Sequence, residues 1–584
     1  MGLRRRGRDG FAARLCAAGL AVVFAGCGGG GATEPSAAVG PMSGSGAGAD
    51  NSAGSSGTAG GGGAGGSISS VELPNDCTVS PGNVVLQRLT RSEYDRTVRD
   101  LFGVTSGPAQ NFPPDSATDG FDNNAQSLTI SPQLTELLLD AAEIVANEAI
   151  INRRDEIFFC EPAPPVSGDV TCIRDILASL ALRVQRQPAT QQEVSDLMDL
   201  LEVSNAEGDS LESGVAFVIQ ALLMSPQFLY RGIPAVGTMP AAPGTQVPLD
   251  DYALASRLSY FLWGSTPDDG LLQTAAEGTL RDGTALRPQF DRLLADPRAS
   301  ALFDGFVSQW LAIGKLQSAN PDPTAFPQFT EELRQAMADE VRTFFEDLRS
   351  RDGSALELIN GTQTFANAGL AAIYGVAGVT GSTLQPIAID PAQRAGVLTM
   401  PAVLTMTSGP SEPNIVRRGV WLAENILCAK PPPPPDGVPP APDPMPGETE
   451  RQRLARHRAN PTCSSCHDLI DPLGFAFESY DAIGAFRDMA QGVPVDNQGA
   501  LPDGRTFAGV VELVDLLEQG SEYPTCITQK LMTYALGRSV SSQERCLLSA
   551  IGAQTVTPGS HLSDWLWAIT TSDAFQMRQT PEAP

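Results

Sequence analysis

The feature that most limits what this chain can fold into is a run of five consecutive prolines, Pro431 to Pro435, in a Pro-rich stretch reaching Pro446. Proline fixes its own φ and has no N–H to donate, so such a run continues neither a helix nor a sheet. It takes an extended, stiff path that works as a spacer or a strap. The chain must therefore be built in parts, a long body before the break and a shorter segment after it. Length agrees: 584 residues exceed what one ordinary hydrophobic core serves, so several domains are expected.

Within those parts the apolar spacing is helical. Ser131-Pro132 offers a cap and first turn for the stretch Leu134 to Ile150. Thr190-Gln191-Gln192-Glu193 has the form of a capping box ahead of Val194, Leu197, Met198 and Leu201. Leu254, Leu258, Phe261 and Leu262 repeat at helical spacing after Asp250-Asp251, and Leu333 to Leu348 continues the pattern. Strand-like alternation is scarce, so the expected fold class is mainly α. Helical domains are expected over 77–160, 170–232, 246–376 and 500–579, with 390–490 holding the Pro-rich linker and the motif discussed below. Ala221 to Arg231 reads like Ala568 to Arg578, which suggests that residues 173–231 and 526–578 are related helical modules. Their helices must then run in the same order.

The N-terminus is a targeting segment. Arg4, Arg5, Arg6 and Arg8 precede an apolar stretch from Phe11 to Gly26, and Phe24-Ala25-Gly26-Cys27 follows. This resembles the lipobox of bacterial lipoproteins, with Phe24 where Leu is usual; an ordinary secretory signal is the alternative. The resemblance implies removal of 1–26, a lipid on Cys27, and, with no Asp at position 28, an outer-membrane address. Residues 27–76 are dominated by Gly, Ser and Ala and are expected to tether the body without folding. No later segment has the roughly 18 consecutive apolar residues that span a bilayer. Charge is strongly acidic, 39 Lys+Arg against 67 Asp+Glu, a formal net of -28. That argues against nucleic acid as a partner, because such binding needs basic surface.

Cys463-Ser464-Ser465-Cys466-His467 has the Cys-x-x-Cys-His spacing of c-type haem attachment. One helical turn brings both thiols to the vinyl edge of a porphyrin, and the next residue sets an imidazole under the iron. Three rivals share the pattern: a redox dithiol, which belongs after a strand; a zinc site, for which a full set of four ligands is missing; and a structural disulfide beside an incidental His. The helical, polar approach from Thr449 to His457 suits haem best. Met489, Met532, Met400, Met406 and His561 are the candidates for a second axial ligand, and the sequence does not choose among them. Pro472 offers a carbonyl to the imidazole's other N–H. Phe475, Phe477, Tyr480 and Phe486 are available to wall the ring, and Arg487 to pair with a propionate.

There are ten cysteines. With Cys16 in the signal, Cys27 lipidated and two in the motif, an even number is left for disulfides in an oxidising setting. Cys160 with Cys172 and Cys526 with Cys546 are the economical local pairs, leaving Cys77 with Cys428 by elimination; buried thiols are the alternative.

With these residues laid out, the chain from about 84 to 578 resembles a multidomain family of planctomycetes and myxobacteria. That family is a set of domains of unknown function (DUF1587, DUF1595, DUF1592, DUF1588 and DUF1585) ending in a cytochrome-like segment. The stretches that carry the resemblance are Arg88 to Asp95 with Asp100 to Gly103, Asp119 to Asn124, and Leu249 to Trp263 with Pro267 to Asp269. Arg394 to Leu398, Arg417 to Trp421, Cys463 to Tyr480 and Tyr534 to Arg538 complete the set. Asn414 to Arg417 departs from the family's Ser-Pro-Val pattern. The resemblance implies domain order and one covalent haem c but brings no reaction. Asp119, Asp122 and Asn123 suggest either a calcium loop or a capped turn, and the spacing of oxygen ligands is not that of a calcium loop. The expectation is an exported, membrane-tethered cytochrome-like protein that passes electrons to a redox partner. A haem enzyme with an open distal side and an envelope scaffold with structural or no haem are the alternatives.

Overall fold

The computed structural model describes residues 71–74, 77, 86–161, 170–232, 245–281, 284–432, 445, 447–458, 461–490 and 492–579. The signal segment, Cys27, most of the tether and most of the Pro-rich stretch lie outside the described residues. What is described is mainly helical, with β structure confined to two-stranded antiparallel pairs. No described helix is long and apolar enough to cross a membrane.

Local chemistry sets the helix starts where the sequence places them. Ser131 accepts from Leu134 N and Pro132 opens the helix Pro132–Asn152. Thr190 and Glu193 form a reciprocal capping box on Gln191–Ala206, and Asp250 caps Asp251–Trp263 through Ala253 N. Each satisfies backbone N–H groups that would otherwise lack acceptors.

Packing then erases much of the linear order. One hydrophobic core runs from Phe121 and Leu249 to Phe575, so segments of very different sequence position share it. Trp310 donates its indole N–H to the carbonyl of Asn425 at 2.7 Å, and Trp421 donates to that of Leu311 at 3.0 Å. Buried indoles need such acceptors, and this reciprocal pair fixes the region around residue 310 against that around 421.

The two modules have the same order of elements. In the first, Thr171–Gln185 ends on Arg186 in the left-handed region (φ 63°), followed by Gln191–Ala206, Leu211–Leu223, the short helix Pro226–Leu229 and a strand at Tyr230–Arg231. In the second, Glu522–Leu536 ends on Gly537 (φ 61°), followed by a Ser541–Glu544 capping box, Arg545–Thr555, Leu562–Thr571, Asp573–Gln576 and a strand at Met577–Gln579. Each terminal strand pairs with a short strand that leads into a capped helix: Gln87–Arg88 before Arg91–Phe102, and Gln246–Pro248 before Asp251–Trp263. Arg186 adopts a conformation that favours glycine because its buried guanidinium donates to the carbonyls of Phe228 and Tyr230, both at 3.1 Å, and closes the module.

Three disulfides form among the described residues. Cys160 bonds Cys172, the local pair read from the sequence. Cys526 does not bond Cys546: Cys526 bonds Cys428, and Cys546 bonds Cys77. The reason is the packing of the last two long helices. Gly552 of Arg545–Thr555 sits against Pro524, where a Cβ would come 2.5 Å from the Pro524 carbonyl. Cys526 is therefore level with the far end of that helix, and Cys546 is six residues away, about 9 Å along the axis. That exceeds the reach of a disulfide.

Candidate functional site

The motif lies on one helix, Pro461–Gly474. Cys463 and Cys466 are thus one turn apart with His467 next in line; the Cys463 side chain is outside the described residues, and Cys466 is half-buried. One turn further on, the carboxylate of Asp471 reaches back to His467, with Nδ1 and Oδ1 2.8 Å apart. The Asp471 side chain is 0% exposed. Burial raises its pKa, which the hydrogen bond and charge of His467 oppose. A carboxylate on Nδ1 selects the tautomer with Nδ1–H, so the lone pair is on Nε2. Asp471 thus fills the acceptor role expected of the Pro472 carbonyl.

Pro472 is engaged elsewhere. Three glycines let other backbones approach the motif helix closely: a Cβ at Gly499 would come 2.1 Å from the Pro472 carbonyl, one at Gly419 2.1 Å from that of Ile470, and one at Gly474 2.0 Å from that of Ile415. Gly419 lies on Ile415–Asn425, the helix against which the motif helix packs. Any side chain there would force the two apart.

The segment after the motif is fastened by Arg418. It is 1% exposed and donates to the carbonyls of Phe477, Tyr480 and Asp481 at 2.7, 2.8 and 2.6 Å. Burial pulls its pKa down to about 9, with Glu478 opposing. The aromatic residues expected to wall a ring are used otherwise. Phe477 and Tyr480 belong to the main core, Phe475 packs with Ile415 and Leu454, and Phe486 is exposed. Arg487 pairs with Glu412 and Glu478, each at 3.4 Å.

None of the expected second ligands is presented to His467. Met400 and Met532 are buried in the main core, Met406 packs against it, and Met489 is exposed in a hairpin. His561 is held through Nδ1 by the Asp352 carbonyl at 2.9 Å. The imidazole that does reach His467 is His457, on the preceding helix Glu450–Arg458, with ring centroids 5.0 Å apart at 75°. Burial lowers its pKa and the neighbouring His467 adds to this. The sequence treats His457 as part of a helix and, with His561, as a histidine too few to complete a zinc site; its one signal is a position ten residues before His467, on a helix that must double back.

The donor set fits a covalently held haem: two cysteines a turn apart on one helix and an adjacent imidazole with Nε2 directed away from its buried carboxylate. No three described His, Cys, Asp or Glu side chains converge as a metal cage. The loop over Asp119 to Asn124 is a structural turn. Asp119 accepts from the Ser539 hydroxyl, Asp122 from Gln309, and Asn123 donates to the Tyr534 carbonyl.

Comparison with known proteins gives family models alone. No curated protein and no solved structure matches the chain. Proteins of unknown function are matched in five successive segments: DUF1587 over 87–151, DUF1595 over 172–232, DUF1592 over 249–376, DUF1588 over 394–490, and DUF1585 over 503–575. The chain therefore carries these five domains of unknown function in that order, with the Cys-x-x-Cys-His helix inside the DUF1588 segment.

Proposed function

We propose that this chain is an exported, lipid-anchored protein carrying one haem c, bonded through Cys463 and Cys466 and ligated by His467, that transfers electrons to a partner at the cell envelope. The observation that carries the reading is the His467–Asp471 pair. A carboxylate buried on the motif helix has the ordinary second-shell role of orienting an imidazole toward a metal and raising its basicity. The haem would supply a one-electron couple. The chain's residues hold it, set the imidazole's tautomer and, through Gly419 and Gly474, keep the motif helix from shifting. His457 packs edge-on against the His467 ring at 5.0 Å, too close for an iron to stand between the two, so it braces that imidazole and leaves the second ligand unassigned. A lipid on Cys27 and the Gly/Ser-rich tether would let the body reach partners near an outer membrane, and its acidic surface suits basic ones.

The test is expression of the full chain with a cytochrome c maturation system, followed by haem staining of the denatured protein and spectra of both redox states. Covalent haem with a c-type reduced band and low-spin iron is expected. Protein free of covalent haem, or a Cys463→Ala, Cys466→Ala variant that still holds it, would overturn the assignment.

A further inference from the structure

The 39 basic residues of this chain include only three lysines, Lys315, Lys430 and Lys530. They lie in three different matched segments or their margins, yet all three line one open cleft of about 840 Å³. We propose that this cleft is a binding site for a small polyanion, a molecule bearing two or more phosphate, sulfate or carboxylate groups. The proposal is independent of the haem reading.

Charge is the first argument. The chain is strongly acidic, and the ion pairs among its described residues are made by arginines and histidines. The lysines are the exception: none of their ammonium groups makes an ion pair or a hydrogen bond among the described residues. The three ammonium groups share the cleft with two carboxylates, Asp119 and Glu424, so one positive charge is left over and the ammonium groups repel one another. Burial lowers the Lys530 pKa and Lys430 adds to this, while Glu424 and Asp119 oppose it. A multivalent anion would relieve that repulsion. Lysine suits this use, as a flexible point charge that adapts to anions of different shape.

Construction is the second argument. The walls come from four separate stretches: residues 117–120, 308–315, 424–430 and 529–540. They are held in place by contacts already noted, Trp310 with Asn425, Gln309 with Asp122, and Ser539 with Asp119. The Cys428–Cys526 disulfide sets two of the lysines relative to each other, since Lys430 follows Cys428 by two residues and Lys530 follows Cys526 by one helical turn. Of the sequence stretches that carry the family resemblance, Asp119 to Asn124 lines this cleft at Asp119 and Gly120, and Tyr534 to Arg538 runs between the lining residues Thr533 and Ser539.

Backbone conformation is the third and is independent of charge. Non-glycine residues at positive φ are uncommon and accumulate at ligand sites. Five occur among the described residues, and three of them line this cleft: Asp119 (φ 55°), Ala312 (φ 59°) and Cys428 (φ 50°). The volume also falls within the range of small-molecule pockets, roughly 300–1,000 Å³.

Three lysines in the whole chain make the site directly readable. The full-length protein is acetylated with an amine-reactive ester and the rate at each lysine is followed by peptide mass mapping. The probes are inorganic tripolyphosphate, citrate and sucrose octasulfate, each against sodium chloride of equal ionic strength. At least one polyanion should slow all three lysines by about tenfold, the ratio produced by roughly 1.4 kcal/mol of local binding. The most protective probe names the anion chemistry. In calorimetry, Lys315→Gln, Lys430→Gln and Lys530→Gln together should abolish binding of that probe without lowering Tm. Protection no greater than sodium chloride gives with all three probes, protection of a single lysine, or unchanged affinity in the triple variant would overturn the site.

Discussion

The motif helix and the lysine cleft are built in opposite ways. At the motif, the chemistry is contiguous: Cys463, Cys466, His467 and Asp471 occupy little more than two turns of one helix, and the rest of the molecule only grips that helix. At the cleft, no stretch of chain carries more than one lysine, and the site exists only because four segments meet. A local site survives loosening of its surroundings as long as its helix forms. An assembled site depends on every tether between its walls.

The comparison is tested first by its largest effect. Replacing both Cys463 and Cys466 by Ala should abolish covalent haem while leaving lysine protection by the polyanion unchanged. Loss of both readouts would show that the two sites are not separable. Next comes Arg418→Ala, which leaves two buried carbonyls and one half-buried carbonyl short of a donor and should cost about 3–5 kcal/mol in chemical denaturation. Because Arg418 fastens the segment after the motif, haem incorporation should suffer more than the cleft.

Removing the Cys428–Cys526 disulfide with a double Ala variant should cost about 2–4 kcal/mol. Here the order reverses: polyanion protection of Lys430 and Lys530 should fall while haem staining holds. Equal protection in this variant would show that the remaining tethers suffice to set the lysines. Gly419→Ala is the matching cut at the motif. A Cβ 2.1 Å from the Ile470 carbonyl should cost about 1–3 kcal/mol and reduce haem yield at an unchanged cleft.

The smallest effect is a difference in pH dependence. Burial raises Glu478, beside the motif, to about 7, against the pull of Arg487 and Arg418. It raises Asp122, beneath the cleft, to about 6, against the hydrogen bond from Gln309. Both carboxyls are more basic folded than unfolded, so the stability they contribute is complete at low pH and is lost as pH rises through those values. Glu478→Gln should therefore gain about 1–2 kcal/mol relative to the parent between pH 5 and pH 8, and Asp122→Asn less. Thermal melts at the two pH values check this; a gain at the lower pH would reverse the sign and reject the argument.

Features encoded within a turn or two were legible in the sequence. The caps at Ser131, Thr190 and Asp250, the helical class and the Cys160–Cys172 bond all depend on neighbours in the chain, and each forms where the residues indicate. The order of helices expected of the two modules is also present, carried by matching caps and helix ends. Longer-range features were not legible. The pairing of Cys526 with Cys428 depends on how two helices lie side by side, and economy of loop length points to the wrong partner. The acceptor for His467 is one residue from the expected one, because the backbone carbonyl of Pro472 is directed at Gly499 while the Asp471 side chain turns back along its own helix.

The sequence by itself determined the helical class and the presence of two thiols and an imidazole at Cys-x-x-Cys-His spacing, since each follows from covalent geometry and local hydrogen bonding. The tertiary structure decided what those residues face. It placed His457 rather than a methionine beside His467, and it gathered the only three lysines around one cleft. The physical reason is that burial of a shared hydrophobic core, which is nondirectional and indifferent to sequence distance, determines which distant segments meet.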